Sequence, residues 1–521
     1  MSKLTIDHRE VEVPQGATVL EAARKLGIDI PALCFREGCS PSTSCLVCLV
    51  RVGEDHRLVP SCATAAAEGM QVESETEEVY EVRRTALELL LSDHLGDCLA
   101  PCQFGCPAEM DIPTMLRQIA AGEFRKAIAT VKRDIALPAV LGRICSGPCE
   151  KVCRRGDLDA PVSICLLKRL VADVDLASAD PYVPKCLPAS GKHVAILGAG
   201  PTGLSAAYYL RQLGHACTIF DEKPLPGGRL LTETTDSQLP RQVLETEVTT
   251  ITRLGVALKM NTRVGPDMQL ADLRKSFDAV LLACGATARE QAAGWGLAVA
   301  QRGIQVAPRT FETATPGVFA AGSAIRTKAI PIRSVADGKE AAIAIDQFLR
   351  GLPLTGPAEP FSTKIGRMEG DELARFAAGA AHTPRQEPNS GLAAGFTTAE
   401  GAQQAARCLH CDCRGAASCK LRKYAAQYSA HPRRFKAGRR AFQQDSQHAE
   451  VIYEPGKCID CGLCIQIAAA AGEPLGLTFV GRGFDVRVSV PLDHSLAEAL
   501  TKVAAECVAA CPTAALAWKR G

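Results

Sequence analysis

The chain has 521 residues, which at about 100 to 200 residues per domain makes three or four domains. It is 47% hydrophobic and 22% charged, and 59 Lys+Arg against 57 Asp+Glu leave no excess positive charge to displace counterions from nucleic acid. No run approaches 18 consecutive apolar residues and the opening MSKLTIDHREVEVP lacks the succession of a secretory signal, so a cytoplasmic protein without a membrane span is expected.

The 24 cysteines fall mostly in four groups: five from Cys34 to Cys62, seven from Cys98 to Cys165, four from Cys408 to Cys419 and five from Cys458 to Cys511. In a reducing compartment, thiols in such number are candidates for metal thiolates rather than disulfides. Residues about 190 to 350 hold only Cys217 and Cys284, and there short apolar strands alternate with Ala-rich helical stretches, an α/β signature. DPYVPKCLPAS leads into this block and LRGLPLTGPAEPFS, from Leu349, leads out. The expected domains are 1–80, 81–180, 190–352 and 406–521, with 353–405 as a connector, and the expected fold class is multidomain α/β and α+β.

At the N-terminus, KLTIDHREVEVP alternates as a strand pair and ATVLEAARKLGI reads as a helix. Cys34, Cys45, Cys48 and Cys62 follow with the spacing C-x10-C-x2-C-x13-C. Three thiolates in one loop and a fourth from a later turn suit a [2Fe-2S] rhombus, whose irons each take two protein sulfurs. A structural zinc site is the alternative, although zinc sites usually come as paired C-x2-C knuckles. Cys39 falls outside the spacing. The pattern resembles the ferredoxin-like N-terminal domain of the largest peripheral-arm subunit of respiratory complex I and of iron-only hydrogenases, which implies a β-grasp fold.

An amphipathic stretch, RRTALELLLSDHLGDCLAPCQFGCPAEM, then delivers His94, Cys98, Cys102 and Cys106, and LGRICSGPCEKVC with APVSIC delivers Cys145, Cys149, Cys153 and Cys165. Seven thiolates and one imidazole are the number of ligands two [4Fe-4S] cubanes need. The segments GCPAEMDIP, LGRICSGPCEKVC and APVS resemble the N-terminal helical domain of the glutamate synthase small subunit and of dihydropyrimidine dehydrogenase. That resemblance implies two interleaved clusters, one on His94, Cys98, Cys102 and Cys153, the other on Cys106, Cys145, Cys149 and Cys165. His94 stands where the family usually has a cysteine and is similar to the His-x3-Cys ligation of complex I; a solvent-exposed histidine is the alternative. The family places the ligand corresponding to Cys165 a few residues away.

From His193 the chain reads HVAILGAGPTGLSAAYYLRQLGHACTIFDEK: a strand, the glycines Gly198, Gly200 and Gly203 with Pro201, a helix, and a second strand ending at Asp221, 18 residues beyond Gly203. The glycines permit a tight turn and a pyrophosphate at the helix N-terminus, and the acid accepts ribose hydroxyls. PLPGGRL with Gly228 and Arg229, DAVLLACGA, and the late segment TPGVFAAGSAIR resemble the two halves of the FAD domain of the glutamate synthase small subunit. In that family an NADPH domain is inserted between the halves. Here fewer than 30 residues lie between Gly285 and Thr315, too few for a βαβ unit of more than about 30, so the flavin is expected to be kept and direct NAD(P)H binding lost. The family's flavin-contacting Asp is Ser323 here, and Gly322 with its backbone takes that place.

ARCLHCDCRGAASCKLRKYAAQY presents Cys408, Cys411, Cys413 and Cys419, enough for one cubane or one zinc. KCIDCGLCIQIAAA supplies Cys458, Cys461 and Cys464, and ECVAACPTAAL supplies Cys511 before Pro512, a ferredoxin-type [4Fe-4S] pattern with Cys507 as an alternative ligand. GLTFVGRGFDVRV resembles the matching region of complex I and NAD-linked formate dehydrogenase subunits. HPRRFKAGRR near Arg433 reads as a solvated or docking surface. One [2Fe-2S], three or four [4Fe-4S] and FAD make wiring between protein surfaces. The expected function is an electron-transfer subunit of a cytosolic multisubunit oxidoreductase, partnered by an NADH module, a molybdenum or tungsten dehydrogenase such as formate dehydrogenase, or a hydrogenase, with flavin-based bifurcation left open. A self-sufficient NAD(P)H:acceptor oxidoreductase and a zinc-bound, non-redox scaffold are the alternatives.

Overall fold

The computed structural model describes residues 1–263, 269–286, 291–327, 330–435 and 438–519. The chain forms two compact units, the first from Met1–Leu99, Pro360–Gly379 and Cys411–Gly521, the second from Ala100–Glu359 and Ala380–His410. Together they make the expected mixture of α/β and α+β parts.

In the first unit, period-two alternation in β1 (Ser2–Ile6) and β2 (Arg9–Val13) turns Leu4, Ile6, Val11 and Val13 to one face. With β3 (Leu49–Val52), β4 (Arg57–Pro60) and β5 (Gln71–Glu73) they form a sheet ordered β2-β1-β5-β3-β4, in which β5 runs parallel to β1. Helix α1 (Val19–Lys25) begins with a capping box: Thr18 accepts the Glu21 amide and Glu21 accepts the Thr18 amide. It buries Val19, Leu20, Ala22 and Ala23 in the same core as the sheet, giving a β-grasp. Helix α2 (Glu77–Ser92), capped by Thr76, packs Ala86, Leu87 and Leu91 with Leu421, Tyr424 and Ala425 of the helix Lys420–Gln427. The last hundred residues pair Val451–Tyr453 with Leu516–Trp518 and Thr478–Val480 with Arg487–Ser489. The helices Leu463–Ala470 and Ala504–Ala510 share their core. In the basic run, Arg439 pairs with Glu372 at 2.8 Å and Arg440 with Asp93, so these two arginines brace the unit; Lys436 lies outside the described residues.

The second unit opens with helices α3 (Pro101–Gly105), α4 (Ile112–Ala120), α5 (Phe124–Asp134), α6 (Pro138–Ile144), α7 (Pro148–Lys151) and α8 (Ile164–Leu176). A parallel sheet follows, built from β6 (His193–Leu197), β7 (Ala216–Phe220), β8 (Ala257–Lys259), β9 (Ala279–Leu282) and the strand Val318–Ala320. Its order is Val318–Ala320, β9, β6, β7, β8. Its central strands are buried on both faces, as a sheet covered by helices requires. Helix α9 (Pro201–Gln212) packs against the helix Pro331–Leu349, where a Cβ on Gly338 would stand 2.4 Å from the Thr202 carbonyl oxygen. Between Gly285 and Thr315, the described residues include the strand pair Val299–Ala300 and Gly303–Ile304. No described helix is long and apolar enough to cross a membrane.

Glu247, 2% exposed on the helix Arg241–Thr252, ties the sheet to the helical segment by accepting the Ala139 and Val140 amides at 2.8 and 2.9 Å. Burial pushes its carboxyl up to about 7. A carboxyl whose pKa is higher folded than unfolded holds more protons in the folded state between the two values, so stability falls as pH rises from about 4.5 through about 7. The expected loss, on the order of 3 kcal/mol, should appear in thermal melts of the full protein as a slope that Glu247→Gln flattens.

Candidate flavin and iron–sulfur sites

The turn after β6 is shaped by glycine. Gly198 has φ +110°, and a Cβ on Gly203 would lie 1.9 Å from the Gly198 carbonyl oxygen, so the start of α9 presses directly on the turn. Asp221 accepts the Ala199 amide at 2.6 Å and the Lys223 amide at 2.8 Å, joining the end of β7 to that turn and leaving further lone pairs on the carboxylate. A cavity of about 660 Å³ opens here, within the usual range for cofactor sites. Of the expected residues, Gly198, Gly200, Pro201, Asp221, Gly228, Arg229 and Ser323 line it. Gly203 and Gly322 act behind the wall: Gly322 has φ +67°, and its Cβ would meet the Thr202 hydroxyl at 2.3 Å. Sequence reasoning missed Arg143, Thr262, Trp295 and Ser334 among the lining residues. Trp295, one of two tryptophans, stood in the short stretch remaining where the family has its inserted domain and was the only available signal. The glycine cradle, the helix N-terminus and the acid fit a dinucleotide flavin, which supplies exchange between one- and two-electron carriers when bound.

Cys34, Cys45, Cys48 and Cys62 are all buried, with Cys34 Sγ and Cys45 Sγ 3.3 Å apart. Hydrogen bonds from Cys45 and Cys62 hold the Cys34 thiol low, and one from Cys62 brings Cys48 down to about 7; Cys45 and Cys62 are pushed up by the same contacts. Thiols close enough to share protons ionise together only when a cation replaces those protons, so the donor set fits a metal cluster. Cys39 stays outside this network, half-buried.

In the second unit, Cys106, Cys145, Cys149 and Cys165 converge on one cation. Lys168 is 3% exposed; burial pulls its pKa down, but the thiolates of Cys165, Cys145, Cys149 and Cys106 outweigh that and raise it. The hydrogen bond with Cys145 lowers Cys165, but the bond with Cys149 and then burial outweigh it and push Cys165 up to about 12. The Cys165 amide donates to Glu150 at 2.8 Å, which fixes the start of α8 beside α7. Arg155 is flanked by Cys153 and Cys408, and Cys102 lies on α3, which packs on α7.

His94 and Cys98 belong to the first unit, Cys102 and Cys153 to the second, and the segment Cys408–Cys419 is itself parted between His410 and Cys411. In the first unit Cys98 lies beside Cys413, whose amide donates to the Cys98 carbonyl at 3.4 Å. Sequence spacing could not show this, because the two segments are more than 300 residues apart.

Cys458, Cys461, Cys464 and Cys511 line one small apolar cavity with Tyr453, Val488 and Leu516. The Asp460 amide donates to Cys458 Sγ and the Leu516 amide to Cys511 Sγ, each at 3.4 Å, contacts that favour thiolates. Cys507 faces away, donating toward the Cys464 carbonyl at 3.7 Å, and is not among the lining residues. Among the described residues, no three His, Cys, Asp or Glu side chains converge tightly enough for a single ion.

Comparison with known proteins follows this division. Residues 1–77 match the 2Fe-2S iron-sulfur cluster binding domain, residues 76–179 dihydropyrimidine dehydrogenase domain II with its 4Fe-4S cluster, and residues 167–342 the pyridine nucleotide-disulphide oxidoreductase domain. By its domains the chain is an iron–sulfur flavoprotein oxidoreductase. It is 41% identical over 207 residues to the NADP(+)-dependent formate dehydrogenase subunit beta of Moorella thermoacetica, covering 36% of this chain and 29% of that one. It is 38% identical over 190 residues to the NAD-dependent dihydropyrimidine dehydrogenase subunit PreT of Salmonella typhimurium, covering 36% and 45%. The glutamate synthase [NADPH] small chain of Bacillus subtilis is 32% identical over 202 residues, covering 36% and 41%. The chain thus spans less than half the length of each of these relatives.

Proposed function

We propose that this protein is an electron-transfer subunit of a cytoplasmic multisubunit oxidoreductase, passing electrons between a partner and a second acceptor. The observation that carries the reading is the shared core of the first unit. Cys34 and Cys45 of one cysteine group, Cys419 of another and Cys461 of a third lie in the same buried apolar cluster, and the Ser42 hydroxyl donates to the Cys461 carbonyl at 2.8 Å. Thiol groups packed side by side, away from water, suit a row of one-electron carriers more than isolated structural ions, which need no neighbours.

The residues between Gly285 and Thr315 are too few for a nicotinamide domain, which supports substrate chemistry on a partner. Relatives named as beta subunits of an NADP(+)-dependent formate dehydrogenase and of an NADPH-Fe(3+) oxidoreductase support a subunit role. By the same reasoning the partner is an NADH module, a molybdenum or tungsten dehydrogenase, or a hydrogenase. A flavin flanked by one-electron carriers also suits bifurcation.

Anaerobic purification from the native host is expected to yield a brown complex with at least one further redox subunit, and the isolated chain should not bleach promptly with NAD(P)H alone. Prompt bleaching would turn the assignment to the self-sufficient enzyme. A colourless protein carrying zinc and no iron would end the redox reading.

A further inference from the structure

We propose that His94, Cys98, Cys413 and Cys419 together hold one [4Fe-4S] cluster inside the first unit. The proposal rests on the iron–sulfur reading above and regroups ligands that sequence spacing assigns to two different sites.

Three observations converge on this set. First, the segments that carry the cysteines run side by side. The Cys413 amide donates to the Cys98 carbonyl at 3.4 Å, and Cys98, Cys413 and Cys419 are 7%, 9% and 8% exposed. Cys413, Cys98 and Cys511 are the thiols close enough to act on Cys419, whose Sγ also lies 3.7 Å from the Pro512 carbonyl oxygen. The Cys98 segment is held in place from both sides: Cys98 Sγ stands 3.3 Å from the Thr363 hydroxyl, which donates to the Gly96 carbonyl at 2.6 Å, and Asp97 accepts the Ile365 amide at 2.9 Å.

Second, His94 is only partly buried as a residue, yet its Nδ1 is sealed from solvent and has no hydrogen-bond partner. A buried ring nitrogen left without a partner is costly unless it binds something the protein alone does not supply.

Third, the site carries its own counter-charge. Lys457 is 4% exposed, pairs with Glu454, and places Nζ 3.9 Å from Cys413 Sγ. A Cβ on Gly96 would meet Lys457 Cε at 2.9 Å and His94 Nε2 at 3.2 Å, so the lysine stem and the imidazole close on the same glycine. Three thiolates and one neutral imidazole also bring one negative charge fewer into the apolar core than four thiolates would.

The test compares the anaerobically purified full-length protein with Cys98→Ser, Cys413→Ser and the double variant, by iron and sulfide content and by EPR of the reduced state. Each single variant and the double are expected to lose the same cluster, about four irons, and the same signal. Two different signals lost by the two single variants, with about eight irons lost by the double, would overturn the shared site. His94→Cys, the milder change, should keep the iron while abolishing the nitrogen coupling that pulsed EPR detects in the native protein. Coupling that persists in His94→Cys, or that the native protein lacks, also overturns it. A native protein without iron fails the underlying reading instead, which separates the two failures.

Discussion

Replacing Lys168 by glutamine is expected to lower the reduction potential of the cluster we assign to Cys106, Cys145, Cys149 and Cys165 by about 100 mV, measured by an EPR-monitored redox titration. Lys168 is buried, and the charges acting on it besides burial are those four thiolates. A cation in such a place stabilises the extra electron of the reduced state, so its removal makes reduction harder and moves the potential down. At about 6 Å and an effective dielectric near 20, one unit charge is worth about 3 kcal/mol. At about 59 mV for each 1.4 kcal/mol in a one-electron step, that corresponds to roughly 120 mV. Fold stability should change little, because losing a buried charge offsets part of the lost attraction. A cluster signal that titrates unchanged in Lys168→Gln would show that these thiols and this lysine do not share a cluster.

Gly203→Ala is expected to abolish flavin binding, read as the flavin-to-protein ratio after anaerobic purification. The new methyl would stand 1.9 Å from the Gly198 carbonyl oxygen and 3.1 Å from Ile196 Cγ2. Backbone cannot swing aside as a flexible side chain can, so either α9 lifts off the strand or the turn opens, and both move the amides that would face a pyrophosphate. Gly379→Ala is the control, because nothing lies within 4 Å of its Cβ position and it is not among the residues lining the cavity. It should retain the flavin. Flavin loss in both variants would contradict the packing argument, while retention by Gly203→Ala would contradict the placement of the flavin itself.

Much of this protein was legible from local pattern. The alternation in SKLTI and REVEV, the wholly apolar HVAIL and the glycine turn after it are short-range signals, set by backbone sterics and by which face a strand buries. The four-cysteine loop at Cys34 to Cys62 and the triplet at Cys458 to Cys464 with distant Cys511 were visible for a similar reason: most of their thiols lie within one loop, so spacing alone carries the geometry. Only the tertiary structure decided which thiols meet when the partners are remote. Cys98 lies against Cys413, whose amide donates to its carbonyl, although 315 residues separate them in the sequence. Likewise nothing in LLKRL distinguished Lys168 from a solvated lysine until α8 turned it among four sulfurs. Such pairings are set by how helices pack and where one unit's core ends, which sum over contacts distant along the chain and leave no periodic trace in it.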